Sequence, residues 1–154
     1  MKSLTRIWLE GVIVAGTLDL LSAFVFSGMK GASPMSVLQF VASGPLGDRA
    51  LQDPSFAIAG VLVHYGIMAC MVAFYLFAAQ RLPVLNSKPL LSGILYGFAL
   101  WGLMYWVVRP LRWPDLPMPT AGGVVGVAKQ LFSHLILVGI PIAWITARGL
   151  RSRR

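Results

Sequence analysis

Cysteine is nearly missing from this sequence. Cys70 is the single one in 154 residues, so no internal disulfide can form and thiols indicate no compartment. Charge is sparse as well: only 12% of residues are charged, against 57% hydrophobic, well outside the range of soluble domains. The motifs of soluble catalysis are absent, with no G-x-S-x-G, C-x-x-C, H-E-x-x-H or Walker sequence. Ser133 adjoins His134 and so projects elsewhere on a helix, which removes the one serine–histidine neighbour pair as a nucleophile. No internal repeat argues for inverted halves. An enzyme is not the expectation.

What the chain does have is long apolar runs, about 7–29, 55–80, 89–108 and 124–147. Each is long enough to cross a hydrocarbon core of about 30 Å at a rise of about 1.5 Å per residue. Backbone groups in lipid must be paired internally, so each run is expected to be a helix. With short links the expected fold is all-α: a single domain forming an integral membrane bundle of four transmembrane helices. The first run follows Lys2 and Arg6 like a signal peptide, but its length and lack of a small-x-small site predict an uncleaved anchor. In the first outer loop, Ser33-Pro34 is a capping residue followed by proline, and Gly44 offers a stop. A short interfacial helix is expected there, over about 34–43.

The formal net charge of +8 does not indicate nucleic acid, because the basic residues lie between and beyond the apolar runs and form no stripe. They orient the bundle instead. Eight lysines and arginines fall on the side of the termini and five on the other, which places both termini in the cytoplasm. The basic C-terminal RGLRSRR is an expected contact for anionic lipid headgroups. The expected partners are the lipid bilayer and either further copies of the chain or a larger membrane complex.

Polar groups inside apolar runs are costly, so they mark candidate sites. Glu10 is expected to pair with Arg6 one turn away. Asp19, His64 and His134 are different. By the helix rise they lie roughly 18 Å from the cytoplasmic end, 14 Å from the outer end and 15 Å from the outer end of their runs, which is nearly one depth. Asp19 is flanked by Ala15, Gly16, Ser22 and Ala23, a small-residue packing face, and Gln130 precedes His134 by one turn. Gly93 and Gly97 form a GxxxG pair that continues toward Trp101, Met104 and Tyr105. Pro141 frees the Leu137 carbonyl below His134.

An intramembrane cluster of Asp19, His64, His134 and Gln130 leaves three readings open. The first is a membrane protein that handles protons, ions or a small solute, since histidine titrates near neutral pH and a buried carboxylate can share its proton. The second is a b-type haem protein with His64 and His134 as axial ligands. The third is an accessory or assembly subunit in which an Asp–His bond only fixes helix register. A copper(I) set of His64, Met68 and Met71, beside Cys70, shares one helix face, but methionines so spaced are ordinary core fillers.

With Asp19 in the first run, His64-Tyr65-x-x-Met68 in the second, His134-Leu135 and Gly139 in the fourth, and VLQFVASGPLG after the first, the chain resembles uncharacterised small four-span proteins of the bacterial inner membrane. That resemblance implies a bacterial inner membrane and four helices; it implies no activity.

Overall fold

The computed structural model describes residues 2–152, and those residues form helices and turns with no strand among them. Four helices are long and apolar enough to cross a membrane: α1 (Leu4–Gly28), α3 (Phe56–Arg81), α5 (Pro89–Arg112) and α6 (Gly123–Arg151). Between them lie α2 (Pro34–Leu46), a 3-10 turn (Asp48–Leu51) and the one-turn α4 (Pro83–Ser87). The long helices alternate in direction: Gly11 and Gly16 of α1 meet Val72 and Tyr65 of α3, Ile7 and Ser22 of α1 meet Gly149 and Ser133 of α6, and Gly93 and Gly97 of α5 meet Ile140 and His134 of α6. One end of the bundle carries the start of α1, the end of α6 and α4. The other, here the capped end, carries α2 and the 113–122 loop.

Local signals account for the starts of the helices. Ser3 accepts the Arg6 N–H to cap α1, and Glu10, one turn further on, pairs with Lys2 and Arg6. Ser33 accepts the Ser36 N–H ahead of Pro34. The Asp53 carboxylate accepts the Ser55 N–H at 2.9 Å just before α3, which holds its pKa below the usual range.

α2 does not stop at Gly44 as the sequence suggested. It continues through Pro45 to Leu46, and Gly47, at φ 81°, ends it. Two contacts explain why. Gly44 stays helical with the Trp113 ring 3.7 Å from where its Cβ would be, and Arg112 takes up the carbonyls that the ending helix leaves open. The guanidinium donates from Nε to Ser43 O and Gly44 O, and from Nη2 to Ser43 O and Asp48 Oδ1, at 2.7–3.0 Å. Trp113 stacks on Phe40 with ring centroids 4.6 Å apart. The end of α5 is thereby bolted to the end of α2. Charged hydrogen bonds of this kind are worth about 2 kcal/mol. Arg112→Ala should therefore speed amide exchange across 43–48 by roughly thirtyfold, while exchange within α3 stays as it is.

Helix-to-helix approach is set by glycine. α2 touches α3 where Gly60 meets the Leu38 carbonyl, and α5 touches α6 where Gly93 and Gly97 meet the backbone of Gly139, Ile140 and His134. Any Cβ at these positions would overlap backbone, so the pairs are in direct main-chain contact. α1 meets α3 at Gly11 and Gly16 and meets α6 at Gly149, against side chains.

The core of these contacts fills the middle and the terminal half: Val12 and Ala15, Met68, Val72, Tyr75 and Ala79, Leu100, and Val138, Ile142 and Ala143. Outside, the bundle is as apolar as within. Ile13, Leu62, Phe74, Leu95 and Ile136 face outward, and only 17–28% of the most apolar stretch of each long helix is buried.

Two stretches depart from α geometry. Leu103–Val108 in α5 and Phe132–Gly139 in α6 are π-helical. Each ends two residues before a proline, Pro110 and Pro141. A proline ring collides with the carbonyl four residues back, and a widened turn removes the collision while keeping the backbone paired.

Candidate functional site

Where the core stops, the capped half of the bundle encloses a cavity of about 930 Å³, walled by all four long helices and roofed by α2 and the 113–122 loop. Lys30, Met118, Ala121 and Gly122 line it and are exposed, so it opens at the capped end. Asp19, His64, Gln130 and His134 all line this one space.

His64 is 8% exposed and reaches across to α1, where its Nε2 lies 2.8 Å from the Gly16 carbonyl. A carbonyl only accepts, so Nε2 carries the proton and Nδ1 is the bare nitrogen of the neutral ring. Gly16 makes the approach possible, because a Cβ there would sit 2.8 Å from the Tyr65 ring. Tyr65 stands edge-on to His64 and shares a 2.8 Å hydrogen bond with Thr17. The α1–α3 pair is thus held by polar contacts as well as by packing.

His134 belongs to the π-helical part of α6. Its Nδ1 donates to the Gln130 carbonyl at 3.1 Å, which leaves Nε2 bare when the ring is neutral. The ring meets Tyr105 edge-on at 5.5 Å, and Tyr105 lies in the other π segment. The Gln130 side chain is bonded at both ends: Oε1 accepts from Trp101 Nε1 at 3.1 Å and Nε2 donates to Pro119 O at 2.9 Å. Gln130 therefore fastens the roof loop to α5 and α6 and positions His134.

Asp19 is partly exposed to the cavity, and its carboxylate has no hydrogen-bond or ion-pair partner among the described residues. It acts through space on both Tyr105 and His134, and Arg109 acts on Tyr105 from the mouth. No hydrogen bond joins Asp19 to either imidazole. The Asp–His bond anticipated as helix glue is not formed; that work falls to Ser22–Ser133 at 2.7 Å and to the contacts of His64 and Tyr65.

This geometry suits some ligands better than others. A haem with two axial imidazoles needs a bare nitrogen from each ring facing one iron. His64 has its Nε2 proton directed at Gly16, which leaves Nδ1 as its one nitrogen for an iron, while His134 would offer Nε2. His64, Met68 and Met71 all line the cavity from α3, but Cys70 is exposed and does not. Among the described residues no three His, Cys, Asp or Glu side chains converge as a metal set. A hydrated ion with about six waters at ~30 Å³ each occupies roughly 200 Å³. The volume here is that of a pocket for an organic molecule.

Sequence reasoning did not single out Lys30, Arg109 and Lys129 as site residues, nor the facing of Tyr105 and His134. The two prolines were the available signal for the wide turns. The three cations are far apart in the chain, and nothing local joins them.

No protein-family model, no curated protein and no solved structure matches this chain. The likeness to four-span inner-membrane proteins therefore rests on the short motifs quoted above.

Proposed function

We propose that this is a multi-pass membrane protein that takes a small solute into the space between its helices, with Asp19, His134 and His64 as the polar groups that meet it. The cavity of about 930 Å³ that these side chains line together carries the reading. Its size favours a solute over a bare ion. The carboxylate without a bonded partner and the bare Nε2 of His134 provide a place for a proton to exchange as the solute binds. The apolar outward faces favour a bilayer around the bundle, and the excess of lysine and arginine on the terminal side favours cytoplasmic termini. With the resemblance, that gives a bacterial inner membrane and a cavity open to the far side.

Solute entry has a direct readout. Ala23 lines the cavity, so Ala23→Cys in a Cys70→Ser background places one thiol on its wall. In nanodiscs this thiol is expected to react with N-ethylmaleimide added from water. Gly126 also lines the cavity, and a Cβ there meets nothing within 4 Å, so Gly126→Phe should fill space and slow the reaction at least tenfold. A thiol that stays unreacted would end the proposal.

A further inference from the structure

The cavity has an electrostatic sense that the cluster at its centre does not explain. Four cationic side chains line it, Lys30, Arg109, Arg112 and Lys129, while Asp19 is the one carboxylate among the described lining residues. Arg112 is committed to Asp48 and to the end of α2. The other three have no carboxylate within ion-pair distance among the described residues. Lys129 lies over the Phe26 ring at 5.4 Å, and among the described residues its hydrogen-bond partner is the Met29 sulfur, 3.5 Å away. All three sit at the capped end: Lys30 just past the end of α1, Arg109 in the last turn of α5, Lys129 in the second turn of α6. Between this mouth and Val138 α6 advances nine residues, about two turns. Below the mouth most of the wall is apolar and soft, with Ile67, Met68, Met71 and Val138, and Asp19, His64 and His134 are set into it. Methionine adapts to chains of varied shape.

A cationic ring over a mostly apolar shaft matches one kind of molecule. We infer that the occupant is an anionic amphiphile, with a phosphate or carboxylate head among Lys30, Arg109 and Lys129 and an apolar chain running down past Met104 to Met68 and Met71. This rests on the reading of the cavity as a solute site and adds the chemistry of the solute. Two sources offer that chemistry, an acidic phospholipid of the bilayer and a single-chain acid arriving from water.

The test uses the full chain with Ala23→Cys and Cys70→Ser, in phosphatidylcholine nanodiscs, and follows N-ethylmaleimide labelling. Dodecyl phosphate is expected to slow labelling at least tenfold. Dodecyltrimethylammonium at the same concentration should leave the rate as it is. Lys30→Gln, Arg109→Gln and Lys129→Gln together should abolish the protection while unliganded labelling and the melting temperature hold. Val63→Cys, on the α3 wall, serves as a second reporter if the first folds poorly. Slower labelling on changing the nanodisc lipid to phosphatidylglycerol, without added amphiphile, assigns the head to a bilayer lipid; protection by dodecyl phosphate alone assigns it to a soluble acid. Both support the inference. Equal protection by the anionic and cationic chains overturns it and leaves the solute site standing. A thiol that no reagent reaches overturns both.

Discussion

Gly97→Leu is expected to leave little folded protein. A Cβ at residue 97 would overlap the His134 carbonyl and lie 2.6 Å from the Leu135 Cα. These are main-chain atoms inside a helix, and no rotamer change moves them aside. The helices must part, and α5 then loses its seat on α6 from Gly93 to Trp101, including the Trp101–Gln130 bond that fastens the roof loop. Overpacking of a tight contact costs about 3 kcal/mol and more when backbone is displaced, a large share of a marginal stability of about 5–15 kcal/mol. Gly66→Ala and Gly102→Ala are the matched controls, because nothing lies within 4 Å of either Cβ. They should raise stability by about 0.5–1 kcal/mol through helix propensity alone. Thermal melts followed by circular dichroism in detergent decide the point: if Gly97→Leu melted alongside wild type, the helix contact described here would be wrong.

The second large effect concerns Asp19. Residue 23 lies one turn beyond it, about 6 Å away between Cβ atoms. A reagent reacting with a thiol introduced by Ala23→Cys thus comes within roughly 8 Å of the carboxylate, where two unit charges at an effective permittivity near 20 interact by about 2 kcal/mol. That thiol should therefore react faster once Asp19→Asn is added if the thiosulfonate reagent is anionic, and slower if it is cationic, each by about thirtyfold. Ion-pair neutralisation does not intervene, since the carboxylate has no bonded cation among the described residues. Equal changes for the two reagents would mean an altered opening rather than an altered field, and no change at all would mean that Asp19 carries no charge in the cavity.

The long helices were legible in the sequence because four apolar runs of about 20 residues or more have few other ways to pair their backbone. The start of α2 was legible too, since Ser33 and Pro34 act on their own neighbours. Its end was not, because Gly44 looks like a stop until Trp113 and Arg112, almost 70 residues away, are seen to hold that turn helical. At the site, the helix rise placed Asp19, His64 and His134 near one level, and all three line one cavity. Their bonding could not be read the same way. His64 took a backbone carbonyl that no side-chain pattern reveals, and the facing of Tyr105 and His134 follows two wide turns that depend on how proline strain is relieved. The cationic mouth was hidden for a related reason: Lys30, Arg109 and Lys129 entered only as weights in an orientation count.

The packing below the cavity has its own consequence. Beneath Val138 and Met71 the interior closes on Val72, Ile142 and Ala143, each 0–1% exposed. A chamber sealed at its floor is a cup rather than a pipe. Passage to the opposite face would first require Val72 and Ile142 to come apart.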